Sequence, residues 1–334
     1  MACFLTYQVL PSQSQRPAPV EPNVWEGASR FRGLLVSEHV EVPRSAAAVL
    51  LAAAAGVSRL GGRRQFRPRR VVRLALPESL PPAPPGDVII KPDAAAVGKA
   101  LCEEVAATAK KAIAERGAFA LAIPGGSILK MLQAGSAELQ GVDWGKGVLA
   151  YVNHKCVAND DAAATHKKAM DAFLAGWSGL KILTMDGTAD GVAEAESYEA
   201  KMRAVPETTL PRSSDGLPVF DLSLIGVGDD GHFGSLYPGR KEIADKSGRW
   251  VLPVDMKTPP SITLTPDVIL SSREVLVASA GVSEKYPMGK SEAMKSAIEG
   301  KEGPANFPAQ VLRGKARWLL DEAAASALSA TYQS

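Results

Sequence analysis

The chain is poor in cysteine, in net charge and in long apolar runs. Its 334 residues include three cysteines, Cys3, Cys102 and Cys156, whose spacing matches neither a zinc motif nor a disulfide framework. The formal net charge of +2 is too small to indicate a nucleic-acid partner. The longest apolar candidate, residues 46–57, is twelve mostly alanine residues and is too short to span a membrane. We therefore expect a soluble protein with reduced thiols that binds neither nucleic acid nor membrane.

Residues 1–86 differ from the rest because they contain eleven arginines and no lysine. Arginine-rich sequence with alanine and serine is typical of an organelle transit peptide, although five acidic residues weaken that interpretation. The alternative is a disordered extension that ends in a proline-rich linker at 77–85. A basic arm for nucleic acid is less favoured, since few aromatic residues interleave the arginines. We predict an N-terminal extension over 1–86 and a plastid location, with the cytoplasm as the alternative.

From residue 87 onward the apolar pattern alternates between short strands and helices. It predicts strands at 88–90, 119–123, 148–152, 180–183, 219–225, 250–254, 262–264, 275–279 and 316–320. It predicts helices at 93–116, from near 128, at 161–174, 191–205, 291–299 and 322–328. Repeated β–α units of this kind indicate one α/β domain over 87–330, with a mostly parallel sheet and helices on both faces.

Three loops rich in glycine or charge follow three of these strands. They read PGGS at 124–127, NHK at 153–155 and GDDGH at 228–232. Because parallel strands present their carboxyl ends at one edge of the sheet, we expect the three loops to form a single site. The four histidines of the chain show no metal-ligand spacing, so we expect no metal and no cofactor.

The last of these loops carries the strongest chemical signal. Residues 220–239 read FDLSLIGVGDDGHFGSLYPG, an apolar strand followed by glycines, carboxylates and a histidine. Glycines allow a substrate to approach the backbone, and histidine is the side chain suited to proton transfer near neutral pH. His232 is therefore the candidate catalytic residue.

The same segment resembles the signature G-x-G-x-D-G-H-x-x-S-L-[FY]-P-G of the 6-phosphogluconolactonases, relatives of the glucosamine-6-phosphate isomerases/deaminases. Every fixed position is met, from Gly226 through His232 to Gly239. The Gly125-Gly126-Ser127 loop and a W-x-x-D-x-x-A-A pattern beginning at Trp318 are further landmarks. The resemblance implies a Rossmann-like, doubly wound α/β fold and hydrolysis of 6-phosphogluconolactone, a small-molecule sugar-phosphate lactone. A monomer is the default expectation.

The resemblance also implies roles for residues of this chain. His232 would take a proton from the attacking water, and Asp230 would either orient the imidazole or bind sugar hydroxyls. The N–H groups around Gly231 and His232 would serve as oxyanion or hydroxyl donors. Gly125, Gly126 and Ser127, at the start of a helix, would bind the phosphate.

The chain departs from the family at three cationic positions. After the third strand, Asn153-His154-Lys155 stands where the family has D-E-R, so Lys155 keeps a charge but loses the bidentate fork of arginine. In the segment KTPPSIT at 257–263, Ser261 stands closest to the family arginine. The family lysine before the helix predicted over 291–299 corresponds to Lys285 or Lys290, and we favour Lys290. The pair Lys167 and Lys168 either compensates or forms a solvated helix face.

Two interpretations of these departures remain open. The first is a divergent lactonase that has rebuilt its phosphate site with Lys155 and Lys290. The second is a sugar-phosphate-binding paralogue with altered specificity or no turnover. An amino-sugar-phosphate isomerase/deaminase is disfavoured, because Leu236-Tyr237-Pro238 lacks the acid that such enzymes carry there. A nicotinamide dehydrogenase is disfavoured because no G-x-G-x-x-G follows the first strand.

Overall fold

A computed structural model describes residues 77–282 and 289–333 of the chain. The predicted extension over residues 1–76 and the lysine candidate at position 285 lie outside these ranges. The division of the chain near residue 86 therefore stays a prediction. No helix within the described ranges is both long and apolar enough to cross a membrane.

The described residues form ten strands in two sheets. The strands are β1 (Val88–Lys91), β2 (Phe119–Ile123), β3 (Gly147–Tyr151), β4 (Asn153–Lys155), β5 (Lys181–Ile182), β6 (Leu222–Ile225), β7 (Val251–Val254), β8 (Ser261–Leu264), β9 (Glu274–Ser279) and β10 (Ala316–Asp321). The larger sheet has the order β1-β10-β9-β6-β2-β3-β5, and all its pairings are parallel. The smaller sheet, β4-β8-β7, is antiparallel.

Seven helices accompany the strands in the described ranges. They are α1 (Ala94–Arg116), α2 (Ser127–Ala134), α3 (Thr165–Ala172), α4 (Gly191–Arg203), α5 (Pro266–Leu270), α6 (Ser291–Glu299) and α7 (Glu322–Ala325). Short 3-10 turns lie at Pro85–Asp87, Ser136–Leu139, Trp144–Lys146, Leu174–Gly176, Lys241–Ala244, Pro308–Leu312 and Ala330–Tyr332.

The larger sheet is covered on both faces, which confirms the predicted fold class. Phe119, Leu121 and Ile123 of β2 are fully buried in one cluster with α1, α2 and α3. The alternate residues Ala120 and Ala122 are buried in a second cluster with α4, α6 and α7. Because strand side chains point alternately to opposite faces, a strand that is apolar at every position requires cover on both sides. The protein is a doubly wound α/β structure.

Local sequence explains the sharpest boundaries. The Asp93 carboxylate accepts a hydrogen bond from the Ala96 N–H at 2.8 Å and so caps the start of α1. Gly117 ends the same helix at a φ of 75°, the left-handed conformation that glycine adopts without steric cost. The bounds predicted for α1, β2 and α6 are confirmed.

Other boundaries differ from the prediction. The helix expected over 161–174 is shorter at both ends. It starts later because the Asp161 carboxylate accepts from the Ala163 N–H at 2.6 Å and holds a turn there, and it ends before Phe173, whose φ of −160° is not helical. The closing helix ends at Ala325 rather than at 328. The NHK triplet, expected as a loop, forms strand β4 through its antiparallel pairing with β8.

The proline-rich stretch before β1 packs against the domain. Ala83 is 1% exposed, its N–H donates to the Ile298 carbonyl, and its own carbonyl accepts from the Tyr332 hydroxyl at 2.7 Å. The Arg313 guanidinium donates to the Leu80 carbonyl at 3.1 Å. Residues 80–83 are thus held by the C-terminal third of the chain.

Candidate active site

The candidate site lies at the carboxyl ends of β2, β3 and β6, which are neighbours in the sheet. The structure therefore confirms that the three glycine-rich or charged loops meet at one edge. A Cβ atom built on Gly226, after β6, would lie 3.5 Å from Ile128 Cγ1 and 4.0 Å from Ser127 Oγ. The loop before α2 and the loop that carries His232 are in contact.

The catalytic loop, residues 226–232, is a tight turn closed by its own backbone. The Gly228 N–H donates to the His232 carbonyl at 2.8 Å, and the Gly231 N–H donates to the Gly228 carbonyl at 3.2 Å. Gly231 has a φ of 81°, and a Cβ on it would lie 2.5 Å from the Phe307 ring. Only glycine fits this position, since a side chain would meet both backbone strain and the aromatic ring.

The turn places Asp230 and His232 side by side. His232 Nδ1 lies 2.5 Å from Asp230 Oδ1, and the His232 N–H donates to the same oxygen at 3.0 Å. Burial would raise the pKa of the Asp230 carboxyl, but the hydrogen bonds and charge of His232 outweigh it and hold this pKa below its usual range. An ionised Asp230 accepts from Nδ1–H, and Nε2 is then the ring nitrogen that can accept a proton.

The N–H groups expected to act as oxyanion donors have other partners. The Gly231 N–H closes the turn onto Gly228, and the His232 N–H is bonded to Asp230. Both N–H groups donate to acceptors within the loop and so stabilise its conformation. We therefore assign Gly231 a conformational role.

The loop before α2 has the features of an anion site. Gly126 occupies the position before the helix with a φ of 79°, and no side chain caps the helix. Ser127 is the first residue of α2, so its hydroxyl lies beside the first N–H groups of the helix. Helix starts of this kind favour anions, because backbone N–H groups and the helix dipole both carry positive charge there.

Strand β4 brings a polar face to the catalytic loop. Asn153 Nδ2 donates to Ser235 Oγ at 3.2 Å, and Ser261 Oγ donates to the same oxygen at 3.0 Å. Lys155 is two residues after Asn153, on the same face of β4, and pairs in register with Ser261. Lys155 therefore lies on the side of the strand that faces the site, as expected of a phosphate ligand.

His154, between those two residues, points into the protein and has a structural role. It is fully buried, Nδ1 lies 2.7 Å from the Lys155 carbonyl, and Nε2 accepts from the His166 N–H at the start of α3 at 3.1 Å. Burial lowers the pKa of the His154 imidazole, so the neutral form is favoured. The lysine at position 155 is thus preceded by a buried histidine that is neutral.

Lys290 approaches the catalytic loop from the start of α6. Its side chain is 5% exposed, and Nζ donates to the carbonyl of Val227 at 2.6 Å. By contrast, the Lys167 ammonium forms an ion pair with Asp171 on the exposed face of α3. Lys167 is therefore part of a solvated helix face.

Cys156, next to Lys155, is a buried thiol. It is 1% exposed, and burial, followed by the negative charges of Glu194 and Asp190, raises its pKa to about 11. The structure supports an unreactive buried cysteine rather than a redox-sensitive one.

Among the described residues, histidine, cysteine and carboxylate side chains form no group that could hold a metal ion.

Two aromatic contacts at the site have no signal in the sequence. Phe307 packs on Gly231 from 76 positions further along the chain. The Tyr237 ring lies 4.9 Å from the His232 ring, centroid to centroid, with an angle of 30° between their planes. Tyr237 belongs to the signature segment, so its presence was known, but its contact with the imidazole was not.

Comparison with known proteins agrees with this geometry. The family model "Glucosamine-6-phosphate isomerases/6-phosphogluconolactonase" matches residues 92–320. The chain belongs to this family. It is 30% identical over 246 residues to a probable chloroplastic 6-phosphogluconolactonase 3 of Oryza sativa subsp. indica, over 70% of this chain and 73% of the relative. It is 29% identical over 262 residues to the 6-phosphogluconolactonase of Rattus norvegicus, over 75% of this chain and 96% of the relative.

A solved structure of a 6-phosphogluconolactonase has the same fold as this chain. The crystal structure of 6-phosphogluconolactonase from Leishmania guyanensis superposes with a TM-score of 0.60 at 21% identity. The match covers 73% of this chain and 98% of the other. The likeness shows that the two chains share the doubly wound fold.

Proposed function

We propose that the protein hydrolyses 6-phospho-D-glucono-1,5-lactone to 6-phospho-D-gluconate, with His232 as the general base. The observation that carries this proposal is the pair formed by His232 Nδ1 and Asp230 Oδ1 at 2.5 Å, beside the glycine loop before α2. The pair leaves Nε2 to act on water, and membership of the lactonase-containing family supplies the class of substrate.

The proposed reaction has two proton transfers. Nε2 of His232 takes a proton from water as the water oxygen bonds to the lactone carbonyl carbon. The tetrahedral intermediate then collapses, the bond between this carbon and the ring oxygen breaks, and the imidazolium returns its proton to the leaving oxygen. The ionised Asp230 stabilises the imidazolium between the two transfers, so we assign it the orienting role. The carboxylic acid that forms then loses its proton to solvent, after these two transfers, and gives the carboxylate product.

We assign the phosphate to the loop Gly125-Gly126-Ser127 together with Lys155 and Lys290. The start of α2 offers N–H groups and a hydroxyl, and the two lysines approach the same edge of the sheet from β4 and α6. Lysine binds phosphate as a point charge, which tolerates more positional freedom than the fork of arginine. Gly231 supports the site by permitting the tight turn.

Amino-sugar isomerisation or deamination is the rival activity within the family. It is disfavoured because Leu236, Tyr237 and Pro238 follow the catalytic loop without a carboxylate. Leu236 is fully buried and Tyr237 packs on His232, so this segment serves packing rather than proton transfer.

We further propose a plastid location. It is supported by the rice relative that is named chloroplastic and by the arginine-rich, lysine-free composition of residues 1–86. A fusion of residues 1–86 to a fluorescent protein should enter plastids in plant cells. Fluorescence that stays in the cytoplasm would contradict the proposal. The monomeric state stays a prediction that light scattering on the purified protein can test.

Hydrolysis of freshly generated 6-phosphogluconolactone, coupled to 6-phosphogluconate dehydrogenase, tests the activity. The expected result is lactone turnover well above the spontaneous rate. Folded protein that does not accelerate hydrolysis would overturn the proposal and would favour the sugar-phosphate-binding paralogue. Release of ammonia from glucosamine 6-phosphate would instead identify the rival activity.

A further inference from the structure

Lys257, in the loop between β7 and β8, contacts the ring of Tyr237, which in turn contacts the ring of His232. Its ammonium nitrogen lies 4.9 Å from the centroid of the Tyr237 ring. The same Tyr237 ring lies 4.9 Å from the His232 ring, centroid to centroid. A cation over an aromatic face is attracted by the ring quadrupole, so the exposed lysine is held toward the site.

The loop that carries Lys257 is tied down close to this residue. Asp255 is paired with the Arg240 guanidinium, which also binds the Glu242 carboxylate at 2.8 Å. On the other side, Ser261 is fixed through its hydrogen bond to Ser235. Lys257 therefore projects from a hairpin that is anchored at both ends beside the catalytic loop.

Within residues 77–282 and 289–333, the charge of Lys257 has no carboxylate partner. Among the residues that the structure describes, no acidic side chain lies within ion-pair distance of its ammonium. At the far end of the same hairpin, the Ser261 hydroxyl donates to Ser235 Oγ at 3.0 Å. Lys257 is therefore the cation that this hairpin presents beside Tyr237.

We propose that Lys257 binds the phosphate group of the substrate; this inference rests on the proposed lactonase function. The two distances through Tyr237 set an upper limit to the separation of the Lys257 ammonium from the His232 ring. In a 1,5-lactone 6-phosphate, five bonds separate the carbonyl carbon from the phosphorus, and a non-covalent contact at each end adds to that length. Lys257 can therefore reach the phosphate while His232 acts on water at the carbonyl.

The position of Lys257 is complementary to those of the other candidate cations. Lys290 is buried under the catalytic loop with Nζ on the Val227 carbonyl, and Lys155 projects from β4. Lys257 is exposed, contacts the Tyr237 ring from the loop between β7 and β8, and would add a third cation to the phosphate site. The ammonium acts as a point charge, so we expect it to contribute to the binding of an anionic ligand and not of a neutral one.

The test is the discrimination between a phosphorylated and an unphosphorylated lactone. The measured quantity is kcat/KM for 6-phosphogluconolactone divided by kcat/KM for glucono-1,5-lactone. Lys257→Met, which keeps the length of the stem and removes the charge, should lower this ratio roughly tenfold through KM of the phosphorylated substrate. Lys257→Arg keeps a cation that stacks on aromatic rings and should restore most of the ratio.

Lys110→Met is the matched control, because Lys110 is an exposed lysine on α1, away from the loops of the site. It should leave both activities unchanged. A Lys257→Met protein whose two activities fall by the same factor, or do not fall, would overturn the proposal. Equal losses would mean that the lysine supports the hairpin rather than the phosphate.

A second measurement separates this inference from the proposed function. If the wild-type protein does not hydrolyse the lactone, binding of 6-phosphogluconate can be measured by calorimetry on the same variants. A roughly tenfold weaker affinity of Lys257→Met than of the wild type would support the phosphate contact without turnover. Equal affinities would overturn it.

Discussion

Gly228→Ala tests whether the position of His232 is what makes the site reactive. A Cβ atom at Gly228 would lie closer than 3.0 Å to both Nδ1 and Cε1 of His232, and 2.9 Å from Asp230 Oδ1. Since carbon contacts are normally about 3.5–4.0 Å, the imidazole must move by roughly 1 Å. A displacement of this size in a catalytic group costs about a hundredfold in rate.

The same substitution should have little effect on stability. Gly228 is not among the glycines with a positive φ, so alanine fits its backbone, and the ring that it displaces is the end of a side chain with 21% exposure. The change in the free energy of unfolding should stay within about 1 kcal/mol. We expect kcat for 6-phosphogluconolactone to fall about a hundredfold while the urea midpoint hardly changes.

The control for this experiment is Gly176→Ala. A Cβ at Gly176 meets nothing within 4 Å, and its φ is likewise not in the positive range. This variant should be as active as the wild type. A Gly228→Ala protein with full activity would refute the reasoning that the closed turn positions the base.

Three further predictions concern buried groups. Asp221→Asn should lower the free energy of unfolding by about 3 kcal/mol in urea titrations, because Asp221 is 1% exposed and its carboxylate is bonded to Arg116 at 2.5–2.7 Å. Stability should fall as the pH drops below about 6.5, because burial lowers the pKa of His154 and the unfolded chain binds the proton more readily. Urea midpoints that show the same acid loss for His154→Asn would contradict this. At pH 8, Cys156 in the folded protein should react with iodoacetamide at least about a hundredfold more slowly than a free thiol, because its pKa is raised to about 11. Mass spectrometry can follow the reaction.

Matched comparisons sharpen these outcomes. Asp171→Asn removes an exposed pair with Lys167 and should cost less than about 1 kcal/mol. An equal cost for Asp221→Asn would show that the buried pair is not a stabilising feature. Rapid labelling of Cys156 in protein that is shown to be folded would contradict its assignment as an unreactive thiol.

Much of the fold could be predicted from local sequence. Helix α1 was bounded by an aspartate at its start and a glycine at its end, and the structure shows the hydrogen bond and the φ that these residues supply. Strand β4 could not be predicted, because three polar residues have no alternation of their own. It exists through its pairing with β8, more than 100 positions away.

The residues of the candidate site could be predicted from the sequence, but the contacts between their side chains could not. The histidine, the carboxylate and the glycine loop all follow parallel strands, so sheet topology alone brings them together. The contact between Lys257 and Tyr237 depends on the shape of an irregular loop, and so does the ring of Phe307 on Gly231. Such contacts have no periodic signal in the sequence.

The central claim is that His232 is the base of a lactone hydrolase. The most direct test compares the wild type with His232→Ala in the hydrolysis of fresh 6-phosphogluconolactone, after subtraction of the spontaneous rate. The account predicts wild-type turnover and a fall in kcat of about 10²–10⁴-fold in a variant that remains folded. Hydrolysis by His232→Ala at the wild-type rate would contradict it.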